Sequence, residues 1–145
     1  MLFVLTISTL TVCLTVVMHL ALLHKLAQLA SRFKQLTTLH MASIVIVAII
    51  GHLVEIFVFA TALAGLAESG RYGTVNLEVK LDFESLNYFY LSALTYTSLG
   101  FSDHAPKGPL RLFVAMEAVT GLVLITWTAA LGTTIVNKHW RDFTV

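Results

Sequence analysis

Residues 95–103 read Thr95-Tyr96-Thr97-Ser98-Leu99-Gly100-Phe101-Ser102-Asp103. This hydroxyl-rich run with one glycine lies between two long apolar stretches, 41–67 and 109–137. Backbone of this composition suits a narrow path lined by carbonyl oxygens. Small residues and glycine let the chain adopt dihedrals in which successive carbonyls replace the water around an ion. The run therefore reads as an ion-selectivity filter, and the segments on either side must be read as what would hold it.

Those segments belong in a bilayer. Of the 145 residues, 57% are hydrophobic and only 12% charged, against about a quarter charged in an ordinary soluble domain. Residues 2–23 carry no charge, and 41–67 and 109–137 each contain a single carboxylate, Glu55 and Glu117. All three exceed the roughly 20 residues needed to span hydrocarbon. The first lacks a basic start and a small-residue cleavage pattern, so a retained helix is expected rather than a signal peptide. Lys25, Arg32 and Lys34 follow it directly, which the positive-inside rule assigns to the cytoplasm. The amino terminus is then outside, the tail with Lys138 and Arg141 inside, and Glu68, Glu78, Asp82, Glu84 and Asp103 face outward, where they would concentrate cations.

Between the second and third spans, 68–81 mixes glycine, charges and a few β-formers and reads as an extracellular loop. Asp82 is placed to cap a helix over 82–96, with Glu84 in its first turn where the helix dipole favours an anion. Such a helix rises only about 21 Å, too little to cross, so it must enter and turn back. Non-helical backbone following it is tolerated at that depth only where it is buried in protein or lines a watery path. The helix would aim its partial negative carboxyl end at that path, favouring a cation. Pro106, Gly108 and Pro109 then break the chain, with Pro109 suited to open the next helix.

The expected organisation is an all-α membrane protein with three transmembrane helices, a re-entrant pore helix and a filter loop. Its parts are a peripheral helix over 1–24, a cytoplasmic loop over 25–40, a pore domain over 41–137 and a short cytoplasmic tail over 138–145. Within the pore domain fall the outer helix 41–67, the loop 68–81, the pore helix 82–96, the filter 97–103 and the inner helix 109–137.

On these residues the chain resembles the pore module of the tetrameric potassium-channel superfamily, in the small two-transmembrane form with an added amino-terminal helix. The family signature is T-x-T-T-V-G-Y-G-D followed by a pore-lining helix. Thr95, Thr97, Gly100 and Asp103 are identical to it, while Ser98, Leu99, Phe101 and Ser102 replace its Thr, Val, Tyr and second Gly. Arg111 and Gly121 match a basic residue and a hinge glycine of the inner helix. The resemblance implies potassium coordination by the carbonyls of Ser98, Leu99, Gly100 and Phe101, with the Ser98 hydroxyl at the inner end and Ser102 closing the filter. It implies Thr95, Thr97, Asp103 and Glu117 as filter support, and a homotetramer in the cell membrane. A β-carbon at Ser102 costs about 1–2 kcal/mol if that residue must be left-handed, so selectivity for potassium over sodium is expected to be reduced.

Other polar residues offer weaker signals. His52 and Glu55 share a face of the second helix, and with Glu117 they form a candidate buried cluster, readable as a metal or proton site or, for Glu117, as a brace for the filter. Gly121 and Gly132 suit either a hinge or close packing. His19, His24 and His40 read as solvated residues flanking the cytoplasmic side. Cys13 is the only cysteine and forms no intrachain disulfide. The net charge of +1 and the lack of a basic, aromatic-rich cluster argue against nucleic acid. No nucleophile and base pattern, nucleotide motif or arginine-repeat voltage sensor is present, so neither an enzyme nor a cofactor is expected. Potassium or other monovalent cations are the expected ligands and the lipid bilayer the surroundings. The competing reading is a nonconducting membrane interaction protein with a degenerate pore loop.

Overall fold

The computed structural model describes residues 1–32, 37–75, 84–100 and 106–141. These contain four helices, α1 (Leu2–Arg32), α2 (Thr38–Glu68), α3 (Glu84–Tyr96) and α4 (Leu110–Arg141). Three are long and apolar enough to cross a membrane, over Leu2–Arg32, Thr38–Glu68 and Leu110–Asn137. The fourth, α3, has 13 residues, about 20 Å of rise, and stops short of crossing.

Helix boundaries follow local chemistry. Helix α1 runs past the expected end at residue 24, because Leu26, Ala27, Gln28, Leu29 and Ala30 are strong helix formers and Leu26 packs on Ile44, Ala48 and Ile135. Helix α2 starts ahead of the expected residue 41. Its N-cap Thr37 accepts a bond from the His40 backbone N–H while His40 Nδ1 accepts from the Thr37 N–H, a capping box with histidine in the usual place of glutamate. Helix α4 opens one residue past Pro109, and the expected Asp82 cap of α3 lies outside the described residues.

Lipid gives little hydrophobic reward for joining two apolar helices, so small residues and hydrogen bonds must supply the contacts. Helix α1 does so with a stripe of Val4, Ser8, Thr11, Thr15 and His19, all buried against α2 and α4. The stripe's hydroxyls are spent within the helix, Ser8 donating to the Val4 carbonyl at 2.7 Å, Thr11 to Ile7 at 2.9 Å and Thr15 to Thr11 at 3.0 Å. The face is thereby small and free of stranded donors. Helix α3 sits between α2 and α4, where Leu91 and Tyr96 join Ile56, Phe59, Leu63, Phe113, Val114 and Leu124 in one core. Phe59 links it, with ring centroids 6.0 Å from Phe113 and 6.3 Å from Tyr96.

At the other end of α3, the segment after α2 is clipped to the segment before α4. Lys107 N–H donates to the Thr74 carbonyl at 2.8 Å, and Leu110 N–H to that of Tyr72 at 3.2 Å. Gly73 (φ 131°) and Gly108 (φ 69°) meet backbone to backbone, and a Cβ on Gly73 would overlap the Lys107 carbonyl. Phe3 stacks on Tyr72 at 5.2 Å, bringing the start of α1 to the same end of the bundle.

Helix α4 comes close to the end of α3 at Gly121, where a Cβ would overlap the Tyr96 carbonyl and lie 2.8 Å from its ring. Beside Gly132 a Cβ would meet open space among the described residues. Gly121→Ala is expected to destabilise by about 1–3 kcal/mol through overpacking, whereas Gly132→Ala is neutral or stabilising. Thermal unfolding of both variants in detergent checks this, and equal midpoints would remove the Gly121 contact from the account.

Candidate functional site

The quoted run begins on the last turn of α3 and leaves it through a specific stop. Leu99 N–H donates to the Leu94 carbonyl at 3.0 Å and Ser98 N–H to that of Thr95 at 2.9 Å, the paired bonds of a Schellman motif. Ser98 occupies the left-handed position with φ 56°, where glycine is usual, at a cost of about 1–2 kcal/mol. Two hydroxyls reinforce the turn, Thr95 donating to the Leu91 carbonyl at 2.8 Å and Thr97 to that of Ala93 at 2.7 Å. Gly100 follows with φ 94°. Thr97 through Gly100 are exposed on the single chain, and Leu99 is 78% exposed despite being apolar. The turn thus presents backbone and one large side chain outward from the carboxyl end of α3, where the helix dipole is negative.

Beneath the turn, Tyr96 enters a closed ring of polar side chains drawn from all four helices. Tyr96 O–H donates to Glu55 Oε2 at 2.5 Å, and Glu55 Oε1 lies 2.9 Å from His19 Nδ1. His19 Nε2 is 3.3 Å from Thr128 Oγ1, which is 3.0 Å from His52 Nε2, and His52 Nδ1 closes the ring 2.9 Å from Tyr96 Oη. His19, Glu55 and Tyr96 are each 1% exposed or less. All five residues lie near the middle of their spans or, for Tyr96, at the inner end of α3, which sets the end of α3 deep in the bundle.

One turn nearer the start of α3, Glu117 of α4 is buried against Ser92, whose hydroxyl also reaches the Ile56 carbonyl at 3.2 Å. Ser92 therefore links α2, α3 and α4. The second oxygen of Glu117 is buried with no hydrogen-bond partner among the described residues.

Of the cluster expected from sequence, His52 and Glu55 do come together, but Glu117 stands apart on Ser92. His19 replaces it. The expectation of a solvated His19 fails because α1 extends to Arg32, so this residue sits in mid-helix and is fully buried. The signal for it was present, since an ionisable side chain inside an uncharged span is a functional candidate by default. Tyr96 and Thr128 carried no comparable signal, being ordinary residues of their helices until α1 and α2 face them. Thr95 is buried and Thr97 exposed, and Gly121 supports the end of α3 through the contact described above. Phe101, Ser102 and Asp103 lie outside the described residues.

Comparison with curated proteins and with solved structures finds no significant match. Residues 47–138, from within α2 through α3 and along α4, match the family described as "Ion channel". The match covers well over half of the chain and holds the short helix, the turn after it and the two flanking spans. With three candidate spans and this domain, the protein is a multi-pass membrane protein of the ion-channel family, not an enzyme.

Proposed function

We propose that the chain forms a homotetrameric channel that passes potassium passively through a filter built from Ser98, Leu99, Gly100, Phe101 and Ser102. The observation that carries this reading is the exposed left-handed turn at the negative end of a helix too short to cross. One such loop cannot enclose an axis, whereas four related by a fourfold would bring the Ser98, Leu99 and Gly100 carbonyls into rings. Neighbouring copies would also cover Leu99, which finds little cover in its own chain. Thr95, Thr97, Asp103 and Glu117 support the loop, and Gly121 is the position about which α4 would bend. The orientation that agrees with the basic residues puts the amino terminus outside and the carboxyl end in the cytoplasm, in the cell membrane.

Ser98 and Ser102 set the expected selectivity. Hydroxyl-bearing serine keeps an oxygen at the inner mouth, while serine in place of a final glycine disfavours the left-handed backbone four times around the ring. In vesicles with mixed potassium and sodium, the reversal potential is expected to show cation permeation with modest preference for potassium. Ser102→Gly should raise that preference. A strongly potassium-selective native chain would overturn the weakened filter, and anion permeation would overturn the cation reading. Absence of flux from an assembled tetramer would favour the nonconducting interaction protein.

Assembly has a separate test. In a Cys13→Ser background, Leu99→Cys is expected to form chain-to-chain cross-links with a short bifunctional thiol reagent, in a ladder ending at four. A product that remains monomeric in the same detergent would remove the tetramer from this reading.

A further inference from the structure

We propose that His19, His52 and Glu55, with the Tyr96 oxygen, form an intramembrane site for a divalent transition metal of the zinc class. The starting point is Thr128, which has one hydrogen and three acceptors within reach: the two imidazole Nε2 atoms and the Leu124 carbonyl at 3.1 Å. Other hydroxyls of α4 donate to the carbonyl one turn back, Thr120 to Met116, Thr126 to Leu122 and Thr134 to Ala130. When Thr128 does the same, its two lone pairs accept an N–H from each imidazole. In the metal-loaded site both histidines would be Nε2–H tautomers, and the Nδ1 atoms, which meet Glu55 and Tyr96 through hydrogen bonds in the metal-free ring, would turn their lone pairs to the ion.

A metal-bound histidine characteristically donates its other ring N–H to an oxygen that fixes its tautomer, and Thr128 is placed to do this for two at once. The electron-rich atoms converge at the right scale. His19 Nδ1 is 2.9 Å from Glu55 Oε1, His52 Nδ1 is 3.3 Å from Glu55 Oε2, and the three ligand atoms lie within 4.8 Å of one another. Tetrahedral zinc with bonds of about 2.0–2.1 Å holds its ligand atoms about 3.3 Å apart. Tyr96 Oη, 2.9 Å from His52 Nδ1, stands as the fourth donor. Two imidazoles with oxygen donors suit zinc or cobalt, while magnesium and calcium prefer oxygen alone. Approach is through an apolar cavity of about 360 Å³ between α1, α2 and α4 that reaches His52 and Thr128. Loading through such a wall is slow.

A bound ion would join α1 and α2 to the residue on which the filter turn is built. The test uses the full chain in detergent, stripped with chelator and then incubated overnight with cobalt(II) or zinc(II). One cobalt per chain with intense tetrahedral visible bands, displaced by zinc, is expected. His19→Gln and His52→Gln should each abolish the bands, and Thr128→Val should weaken affinity about 10- to 100-fold while keeping them. The exposed His24→Gln should change nothing. Absence of tetrahedral bands in the native chain would overturn the site, whatever the variants' folding. Bands that persist in helical His19→Gln and His52→Gln proteins would do the same. Because the readout is metal retention, neither result depends on whether the chain conducts potassium.

Discussion

A helix that ends within a bundle of membrane-length helices leaves its last carbonyls without partners where water is scarce, so protein must receive them or give them a watery path. Helix α3 ends this way, and much of the bundle is organised around the repair. Its final turn closes on itself through Ser98 and Leu99, its threonine hydroxyls return to carbonyls one turn back, and Gly121 lets α4 approach the Tyr96 carbonyl closely. The flanking helices are long because they cross the membrane, while α3 is short because it stops where its end is received. The clip at Gly73 and Gly108 supplies the complementary constraint, tying the chain before α3 to the chain after it.

The polar ring under Tyr96 follows from the same scarcity of water. Individual interhelical hydrogen bonds in membranes contribute modestly, about 0.6 kcal/mol on average. Leaving a buried partner unmatched costs more than the bond contributes, about 1–3 kcal/mol. A closed ring across four helices is therefore a strong constraint made from weak bonds, because displacing any one helix strands groups on two others. Ser92 and Glu117 repeat the arrangement at a second level of α3, so the short helix is gripped twice along its length.

Much of the architecture was legible in the sequence because bilayer thickness converts residue counts directly into spans. Lengths alone separated the three crossing helices from the short one, and Pro109 located the start of α4 to within a residue. The end of α1 was harder, since Lys25 and Arg32 end the uncharged run without ending the helix. The polar ring was half visible: His52 and Glu55 share a face, but their other partners come from helices whose rotation and depth no spacing reveals. Glu117 was grouped with them by its rarity as an intramembrane acid, whereas helix geometry assigns it to a different turn of α3. The dihedral stop at Ser98 was hidden because serine at that position is the exception and glycine the rule.

The hydroxyl stripe of α1 has a consequence for how that helix finds its place. Ser8, Thr11 and Thr15 are alike in size and each is content with its own backbone, so sliding α1 by one turn, about 5.4 Å, would exchange similar surfaces. Along most of its length the helix is a smooth rail with little to tell one seat from the next. His19 is the notch. Its two ring nitrogens reach Glu55 and Thr128 at a single height, so one imidazole converts a slippery contact into an indexed one.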